Sequence, residues 1–148
     1  MELNEKVMIS IVMASEKFKK KSSAIIRRHG LTFSDYRVLN SLVACEYGRD
    51  IVGNVGRKVL AAAPHIARIA KRMETAGLIM RNDDAADERL IMLQLTSSGR
   101  ETLGTIREIQ EQHCRAYLEI YSAKEKQEVL SVLKHIVHEV KQLPNSFT

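Results

Sequence analysis

Apolar residues recur every three or four positions along most of this sequence, which is the spacing that places them on one face of an α-helix. The pattern predicts a long first helix from Leu3 to about Arg28 and a second helix over residues 33–46. A short third helix follows Asp50, whose side chain is expected to cap it, and a fourth helix spans residues 64–76 and ends at Gly77. The first half of the chain is therefore predicted to be helical.

The pattern changes after the fourth helix. Residues 78–81 and 89–95 are rich in apolar and branched side chains, and the polar segment 82–88 separates them. Two such runs around a polar turn are typical of an antiparallel pair. The sequence therefore predicts a two-stranded β-hairpin.

Two further helices are predicted after the hairpin. Hydroxyl side chains at residues 96–98 can cap the fifth helix, and Ser98 and Glu101 have the spacing of a capping box. Ser122 and Glu125 repeat that spacing at the start of a last helix, whose apolar stripe stops at Pro144. The order of elements predicts a mainly α fold with a small β-hairpin wing.

That order is typical of a winged helix-turn-helix. Two helices joined by a tight turn place the second one in the major groove of DNA, and the hairpin lies beside it. The fourth helix would be the recognition helix. Its apolar positions must face the core, so the opposite face would present four basic or imidazole side chains to phosphates and guanine edges: His65, Arg68, Lys71 and Arg72.

The wing carries charges of both signs. Asp83 and Asp84 are expected to repel phosphates, whereas Arg81 and Arg89 bracket the loop. Arg89 is predicted to enter a narrow minor groove, with Asp87 holding its guanidinium. A purely structural salt bridge within the hairpin is the alternative, and both interpretations can hold together. Arg81 and Asp87 are therefore included among the predicted DNA-binding residues.

Composition and charge agree with this interpretation. The chain has 148 residues, 45% of them apolar, and a net charge of +5, which suits one globular domain that binds a polyanion. No apolar run is long enough for a membrane span, and acidic Glu2 and Glu5 precede the first apolar run, so no signal peptide is expected. Cys45 and Cys114 lie far apart in the sequence and form no Cys-x-x-Cys motif, so both are expected to be reduced thiols in a cytoplasmic protein.

The sequence resembles the MarR (multiple antibiotic resistance regulator) family of bacterial transcription factors over nearly its whole length. The resemblance rests on five short segments: Leu31-Thr32 with Tyr36, Val38 and Leu39; Arg72-Met73-Glu74; Gly77-Leu78-Ile79; Asp84-Ala85-Ala86-Asp87-Glu88-Arg89; and Leu95-Thr96-Ser97-Ser98-Gly99-Arg100.

The resemblance implies a homodimer on a palindromic operator in double-stranded DNA, released by a small, often aromatic and anionic ligand or by an oxidant. It implies one MarR-like unit over residues 1–148, with the winged helix-turn-helix in residues 32–96 and dimerisation helices in residues 1–30 and 97–144. The apolar stripes of the first and last helices independently favour a partner, since a small wing domain cannot cover both.

Two segments depart from the family pattern. Ala62-Ala63-Pro64 stands where the family usually has a Ser or Thr near the start of the recognition helix. Val55-Gly56 stands where a Leu-Ala pair is usual in the preceding helix. A hydroxyl contact to phosphate and a strong helix cap are therefore missing.

An effector pocket is predicted between the first, second and fifth helices. Polar groups in an apolar cleft suit an aromatic acid, and the candidate ligand-binding residues are His29, Tyr36, Arg37, His113 and Tyr117. Core packing of the aromatic rings with exposed charge is an equally good explanation of these residues.

Other functions have weaker support. A thiol-based redox sensor at Cys45 or Cys114 and a winged-helix module that binds proteins instead of DNA are the alternatives. His135 and His138 lack both the i, i+4 spacing of a helical zinc motif and a third ligand, so no metal site or cofactor is expected. The sequence shows no nucleophilic side chain with both a general base and an oxyanion donor identifiable near it, so no catalytic residue is predicted.

Overall fold

A computed structural model describes residues 1–82 and 86–140, the last two by their backbone only. The chain divides into two compact units after Gln110, a point that lies within α5. The helices are α1 (Leu3–Arg27), α2 (Phe33–Val43), α3 (Val52–Val59), α4 (Ala63–Thr75), α5 (Ser97–Leu118) and α6 (Ala123–Val140). The strands are β1 (Arg49–Ile51), β2 (Ile79–Asn82) and β3 (Met92–Leu95), with 3₁₀ turns at Glu46–Gly48 and Glu88–Leu90.

The predicted hairpin is confirmed, but it belongs to a three-stranded sheet. The strand order is β1-β3-β2, and both pairs are antiparallel. Asp50 pairs with Leu93 in this sheet, so its predicted role as the cap of α3 is wrong. The N-cap of α3 is Ile51, which makes no side-chain cap hydrogen bond. Asp50 instead accepts hydrogen bonds from the Ile51 amide at 2.8 Å and from Asn54 Nδ2 at 2.8 Å.

The helix ends follow local side-chain chemistry. Thr32 and Asp35 have the spacing of a capping box and form one at the start of α2, with Thr32 N donating to Asp35 Oδ2 at 2.9 Å. The first turn of α5 is capped by Thr96, whose Oγ1 accepts from Gly99 N at 2.9 Å; the predicted Ser98 box is not the cap. Gly77 has a φ of 78°, the left-handed conformation that a helix-terminating glycine adopts at low cost.

The first unit has one hydrophobic core. Its fully buried side chains come from α1, α2, α3, α4, the sheet and the first turns of α5, with Ile26, Leu39, Val52, Ile66 and Leu93 completely inaccessible to solvent. The winged helix-turn-helix predicted from the sequence is therefore the architecture of this unit. The N-terminal half of α1 lies outside this core and exposes Leu3, Val7, Met8, Ile9, Val12 and Met13.

The second unit consists of the end of α5 and helix α6. Ser122 and Glu125 form the predicted capping box, with both hydrogen bonds at 3.1 Å. Several large apolar side chains on α6 are exposed: Val129, Leu130, Val132 and Val137. The predicted stop at Pro144 lies outside the described residues. No helix in the described part of the chain is long and apolar enough to cross a membrane.

Candidate nucleic-acid interface

Helix α4 has one buried and one exposed face. Ile66, Ala67, Ile69, Ala70 and Met73 point into the core. The opposite face exposes the four residues predicted to contact DNA, His65, Arg68, Lys71 and Arg72. Because 3.6 residues complete one turn, positions 65, 68 and 72 stack along a single line of the helix. The predicted outward orientation of this cationic face agrees with the structure.

Arg72 has a structural contact as well as an exposed surface. Its Nη2 pairs with Oδ1 of Asp35, a carboxylate with 2% of its side chain exposed, whereas 56% of the Arg72 side chain is exposed. The same carboxylate caps α2 through Thr32. The pair therefore ties the recognition helix to the start of α2.

Arg68 makes no such ion pair within the described residues. Its Nη2 lies 3.4 Å from His65 Nδ1, so the imidazole supports the guanidinium on the exposed face. Lys71 is exposed one turn from Arg68. Arg68 and Lys71 are thus the α4 cations that remain available for phosphates and base edges.

The turn before α4 explains the glycine at position 56 and shows how α4 begins without a capping hydroxyl. Leu60 adopts the left-handed conformation (φ 58°, ψ 46°) and ends α3. A Cβ atom at Gly56 would lie 2.6 Å from the Ala61 carbonyl oxygen, so an Ala at position 56 does not fit this turn. Helix α4 then begins without a side-chain cap at Ala62 but with Pro64 in its first turn, where the missing amide costs nothing.

Asp87 holds Arg89 as the sequence predicts. Asp87 Oδ2 accepts from Arg89 Nη2 at 2.8 Å, and Oδ1 accepts from Nε at 3.2 Å. These hydrogen bonds keep the pKa of Asp87 below its ordinary value of 3.8 and raise the pKa of Arg89. Some 70% of the Arg89 side chain remains exposed. The guanidinium is therefore oriented before any ligand arrives.

The backbone of Arg89 is held against α3. Arg89 lies in the 3₁₀ turn and not in a strand, and a Cβ atom at Gly53 would come within 3.2 Å of its carbonyl oxygen. This close approach fixes the base of the wing to the helix-turn-helix. Asp83 and Asp84, which are predicted to repel phosphates, lie outside the described residues.

Arg81 is placed differently from Arg89. Only 10% of its side chain is exposed, and its Nε donates to Glu74 Oε1 at 3.3 Å while its amide donates to Glu74 Oε2 at 3.2 Å. The pair links β2 to the end of α4. The alternative left open for the wing was a salt bridge within the hairpin, whereas Glu74 lies on α4, so this contact was not predicted. It leaves Arg81 little surface for DNA.

The predicted effector residues fall into both units. In the first unit, Arg37 is exposed and lines a shallow cleft together with Ser34 and His65. The Tyr36 ring is half-buried, 6.5 Å from that of Phe33, and His29 is also half-buried.

In the second unit, the predicted effector residues His113 and Tyr117 stack edge to face with ring centroids 5.1 Å apart. Because the predicted pocket needs residues of both units, it stays a prediction.

A cluster around Cys45 was not predicted. Lys58 Nζ donates to Asp50 Oδ2 at 2.9 Å and lies 3.3 Å from Cys45 Sγ. Hydrogen bonds to Asp50 and to Cys45 raise the pKa of Lys58. Sequence offered one signal, since Asp50, Asn54 and Lys58 follow an i, i+4, i+8 spacing, but only the fold brings Cys45 to them. Within residues 1–82 and 86–140, no three His, Cys, Asp or Glu side chains converge as a metal site.

A family profile for the transcriptional regulators SarA and Rot matches residues 18–106, which cover α4 and the wing. The chain belongs to the SarA/Rot family of transcriptional regulators. This SarA/Rot family chain is 25% identical over 136 residues to the HTH-type transcriptional regulator SarZ of Staphylococcus haemolyticus, covering 91% of this chain and 89% of SarZ. Its curated relatives are regulators and not enzymes.

The fold of this SarA/Rot family regulator is that of the MarR family, as the sequence resemblance predicts. AbsC, a MarR family transcriptional regulator from Streptomyces coelicolor, superposes with a TM-score of 0.82 at 19% identity, covering 97% of both chains. NadR in complex with 4-hydroxyphenylacetate superposes with a TM-score of 0.75 at 21% identity, covering 88% of this chain and 92% of NadR. The protein is thus a transcriptional regulator with a DNA-binding winged helix.

Proposed function

We propose that this regulator acts in the cytoplasm as a homodimeric repressor that binds a palindromic operator through α4 and Arg89. The observation that carries the proposal is the exposed cationic face of α4 together with an Arg89 guanidinium already oriented by Asp87. Arg68 and Lys71 would contact the major groove, and Arg89 the minor groove. Arg72 would also contact the major groove, with the part of its side chain that remains exposed beside Asp35.

The exposed apolar side chains support the dimer. Five large apolar residues between Val7 and Met13 and four on α6 are exposed in the single chain. Exposed apolar side chains clustered on one helix of each unit are typical of an interface, and a two-fold axis would set two α4 helices about 34 Å apart, one turn of DNA. Sedimentation equilibrium tests this step: a monomer at micromolar concentration would contradict it.

DNA binding is tested on a duplex recovered from a random 30-base-pair library by repeated cycles of binding, called here the selected duplex. We expect one palindromic sequence to be enriched. Its affinity should fall by at least about 10³-fold between 50 and 200 mM salt if six or more phosphates are neutralised. Binding that is independent of salt would instead favour a protein-interaction module.

Release by a small aromatic anion is the second part of the proposal. NadR is a protein of the same fold solved with 4-hydroxyphenylacetate. In the first unit of this chain, Ser22 Oγ and Gln110 Oε1 are buried without a hydrogen-bond partner among the described residues. A ligand that forms hydrogen bonds with such buried polar groups removes the free-energy cost of leaving them unpaired. Thermal shifts with 4-hydroxyphenylacetate and salicylate, followed by displacement of the selected duplex, test it.

Thiol sensing is a second candidate, and the Lys58 contact favours Cys45 for it. Lys58 Nζ lies 3.3 Å from Sγ, and Asp50 Oδ2 accepts from the same thiol at 3.6 Å. In the proposed reaction Sγ attacks the outer oxygen of a peroxide, so that an S–O bond forms as the O–O bond breaks; the product is a sulfenic acid, and the released hydroxide or alkoxide takes up a proton and leaves as water or alcohol. Burial, followed by the Glu111 charge, raises the pKa of Cys114, which makes that thiol less reactive. Peroxide should therefore release DNA from wild type and from C114S but not from C45S.

A further inference from the structure

The positive charge of this chain is concentrated in one short segment. Residues 17–34 contain six of the 23 Lys and Arg residues and none of the 18 Asp and Glu residues. The rest of the chain therefore has 17 cationic residues against 18 anionic ones. The net charge of +5 that favours a polyanionic partner is thus a property of the second half of α1 and the loop that follows it.

Four of these six cations share one face of α1, and Arg28, the C-cap residue, continues that face. Lys20, Lys21, Arg27 and Arg28 lie 3, 4, 10 and 11 residues after Lys17, the spacings that return to the same side of a helix, and all five are exposed. The buried residues Ser22 and Ile26 lie on the opposite side. We call the face formed by Lys17, Lys20, Lys21, Arg27 and Arg28 the α1 ridge.

Four of the five α1 ridge cations make no ion pair with an acidic side chain of the described residues. They are Lys17, Lys20, Arg27 and Arg28. Repeated positive charges on a rigid helix cost free energy through mutual repulsion unless a counter-charge approaches. This face is therefore suited to an extended anion and not to a single carboxylate.

Contacts connect this part of α1 to the recognition helix. The ring of Phe18 packs edge-on against Phe33 at 6.4 Å, and Lys19 Nζ lies 5.9 Å from the centre of the same ring. Phe33 begins α2, whose Asp35 pairs with Arg72 of α4. The α1 ridge and the cationic face of α4 thus belong to elements that meet at the start of α2.

We propose that the α1 ridge binds the phosphates of duplex DNA that flanks the operator, so that the footprint of the dimer extends beyond the sequence read by α4 and Arg89. This inference rests on the proposed DNA binding. Duplex DNA is the partner favoured here because its phosphates repeat along a line, as the cations do, and because the other side of the same helix packs on Phe33 at the start of α2. The contacts carry no sequence information, so the flanks contribute affinity without specificity.

The test compares two duplexes and two charge-matched variants. One duplex is the selected duplex trimmed to its palindrome, and the other extends it by about 12 base pairs of fixed sequence on each side, roughly one further turn of DNA. The ridge variant is K17Q/K20Q/R28Q, and the control variant K124Q/K126Q/K134Q removes three exposed cations from α6. Fluorescence anisotropy gives each dissociation constant at four salt concentrations.

The ridge variant should bind the extended duplex at least about tenfold more weakly than wild type, with a salt slope reduced by up to about 5 for the six charges lost per dimer. It should bind the trimmed duplex within about twofold of wild type, and the control variant should match wild type on both duplexes.

Equal losses of affinity on both duplexes, or no loss on either, would overturn the inference. Loss of binding to phosphatidylglycerol vesicles with unchanged DNA binding would assign the ridge to a membrane surface instead. Failure of wild type to bind the trimmed duplex would contradict the proposed function itself.

Discussion

Asp35 and Arg72, which are 37 residues apart, form an ion pair that places the recognition helix against the start of α2. The carboxylate is buried and also accepts a hydrogen bond from the Thr32 amide, so one side chain caps α2 and holds α4. One part of the Arg72 guanidinium is therefore structural, and the exposed part is the one that would contact DNA under the proposed function.

Replacing Asp35 with Ala should destabilise the protein more than loss of the cap alone. The cap contributes about 1 kcal/mol and a hydrogen bond to a charged group about 1.5–3 kcal/mol, so D35A should lower the free energy of unfolding by about 2–4 kcal/mol. Urea unfolding at fixed protein concentration measures it. T32A is the control for the cap, and D35A/R72A completes a double-mutant cycle. A cycle with no coupling would show that the ion pair contributes nothing.

Replacing Asp87 distinguishes an effect of its negative charge from its role in positioning Arg89, because the two predict opposite changes in DNA affinity. Removing an acidic charge beside DNA should tighten binding if only net charge matters. Because Asp87 orients Arg89 through two side-chain hydrogen bonds, we expect D87N to weaken binding of the selected duplex instead, by about 3- to 10-fold. The double variant D87N/R89A should bind no more weakly than R89A. Tighter binding by D87N would contradict the positioning function.

The pH dependence of stability should report the Asp50–Lys58 pair. Burial alone would raise the pKa of Asp50, but hydrogen bonds from Asn54, Lys58 and the Ile51 amide outweigh it and lower the pKa below 3.8. A carboxyl whose folded-state pKa is lowered stabilises the fold above the unfolded value and loses that contribution as the pH falls through the folded value. Wild type should thus be more stable than D50N at pH 6.

The difference between wild type and D50N should shrink progressively below pH 3.8, where the carboxyl takes up a proton. Thermal melts at half-unit pH intervals provide the measurement. A difference that stays constant down to pH 2.5 would show that Asp50 does not titrate with a lowered pKa.

Two glycines of α5 should respond in opposite ways to the same substitution. A Cβ atom at Gly99 would lie 2.0 Å from the Leu78 carbonyl oxygen, whereas nothing lies within 4 Å of one at Gly104. G99A must displace backbone and should cost about 2 kcal/mol or more, whereas G104A should stabilise the helix by about 0.5–1 kcal/mol. Melting temperatures of the two variants test this. Equal effects would show that α5 does not approach Leu78 closely.

Local features of this fold were predictable and long-range ones were not. The capping boxes at Thr32 and Ser122 and the pairing of Asp87 with Arg89 each depend on residues two or three apart, so their spacing is visible in the sequence. β1 has only three residues, and its partner strand β3 begins some forty residues later. No local pattern indicates such a strand.

The site shows the same division. Sequence periodicity predicts which side of α4 faces solvent, because a helix fixes the relation between position and direction. It does not predict the ion pair between Asp35 and Arg72 or the ion pair between Glu74 and Arg81, since both contacts depend on how helices and strands pack. Of the seven residues predicted to contact DNA, the structure therefore gives Arg68, Lys71 and Arg89 the clearest access.

The most direct test of the account is the affinity of R68A and R89A for the selected duplex, measured by fluorescence anisotropy from 50 to 200 mM salt. Each variant should bind about 10- to 100-fold more weakly at a fixed salt concentration, have a shallower salt slope, and unfold at the same urea concentration as wild type. Wild-type affinity in both variants, with an unchanged slope, would contradict the claim that the exposed face of α4 and the Asp87-oriented Arg89 hold DNA.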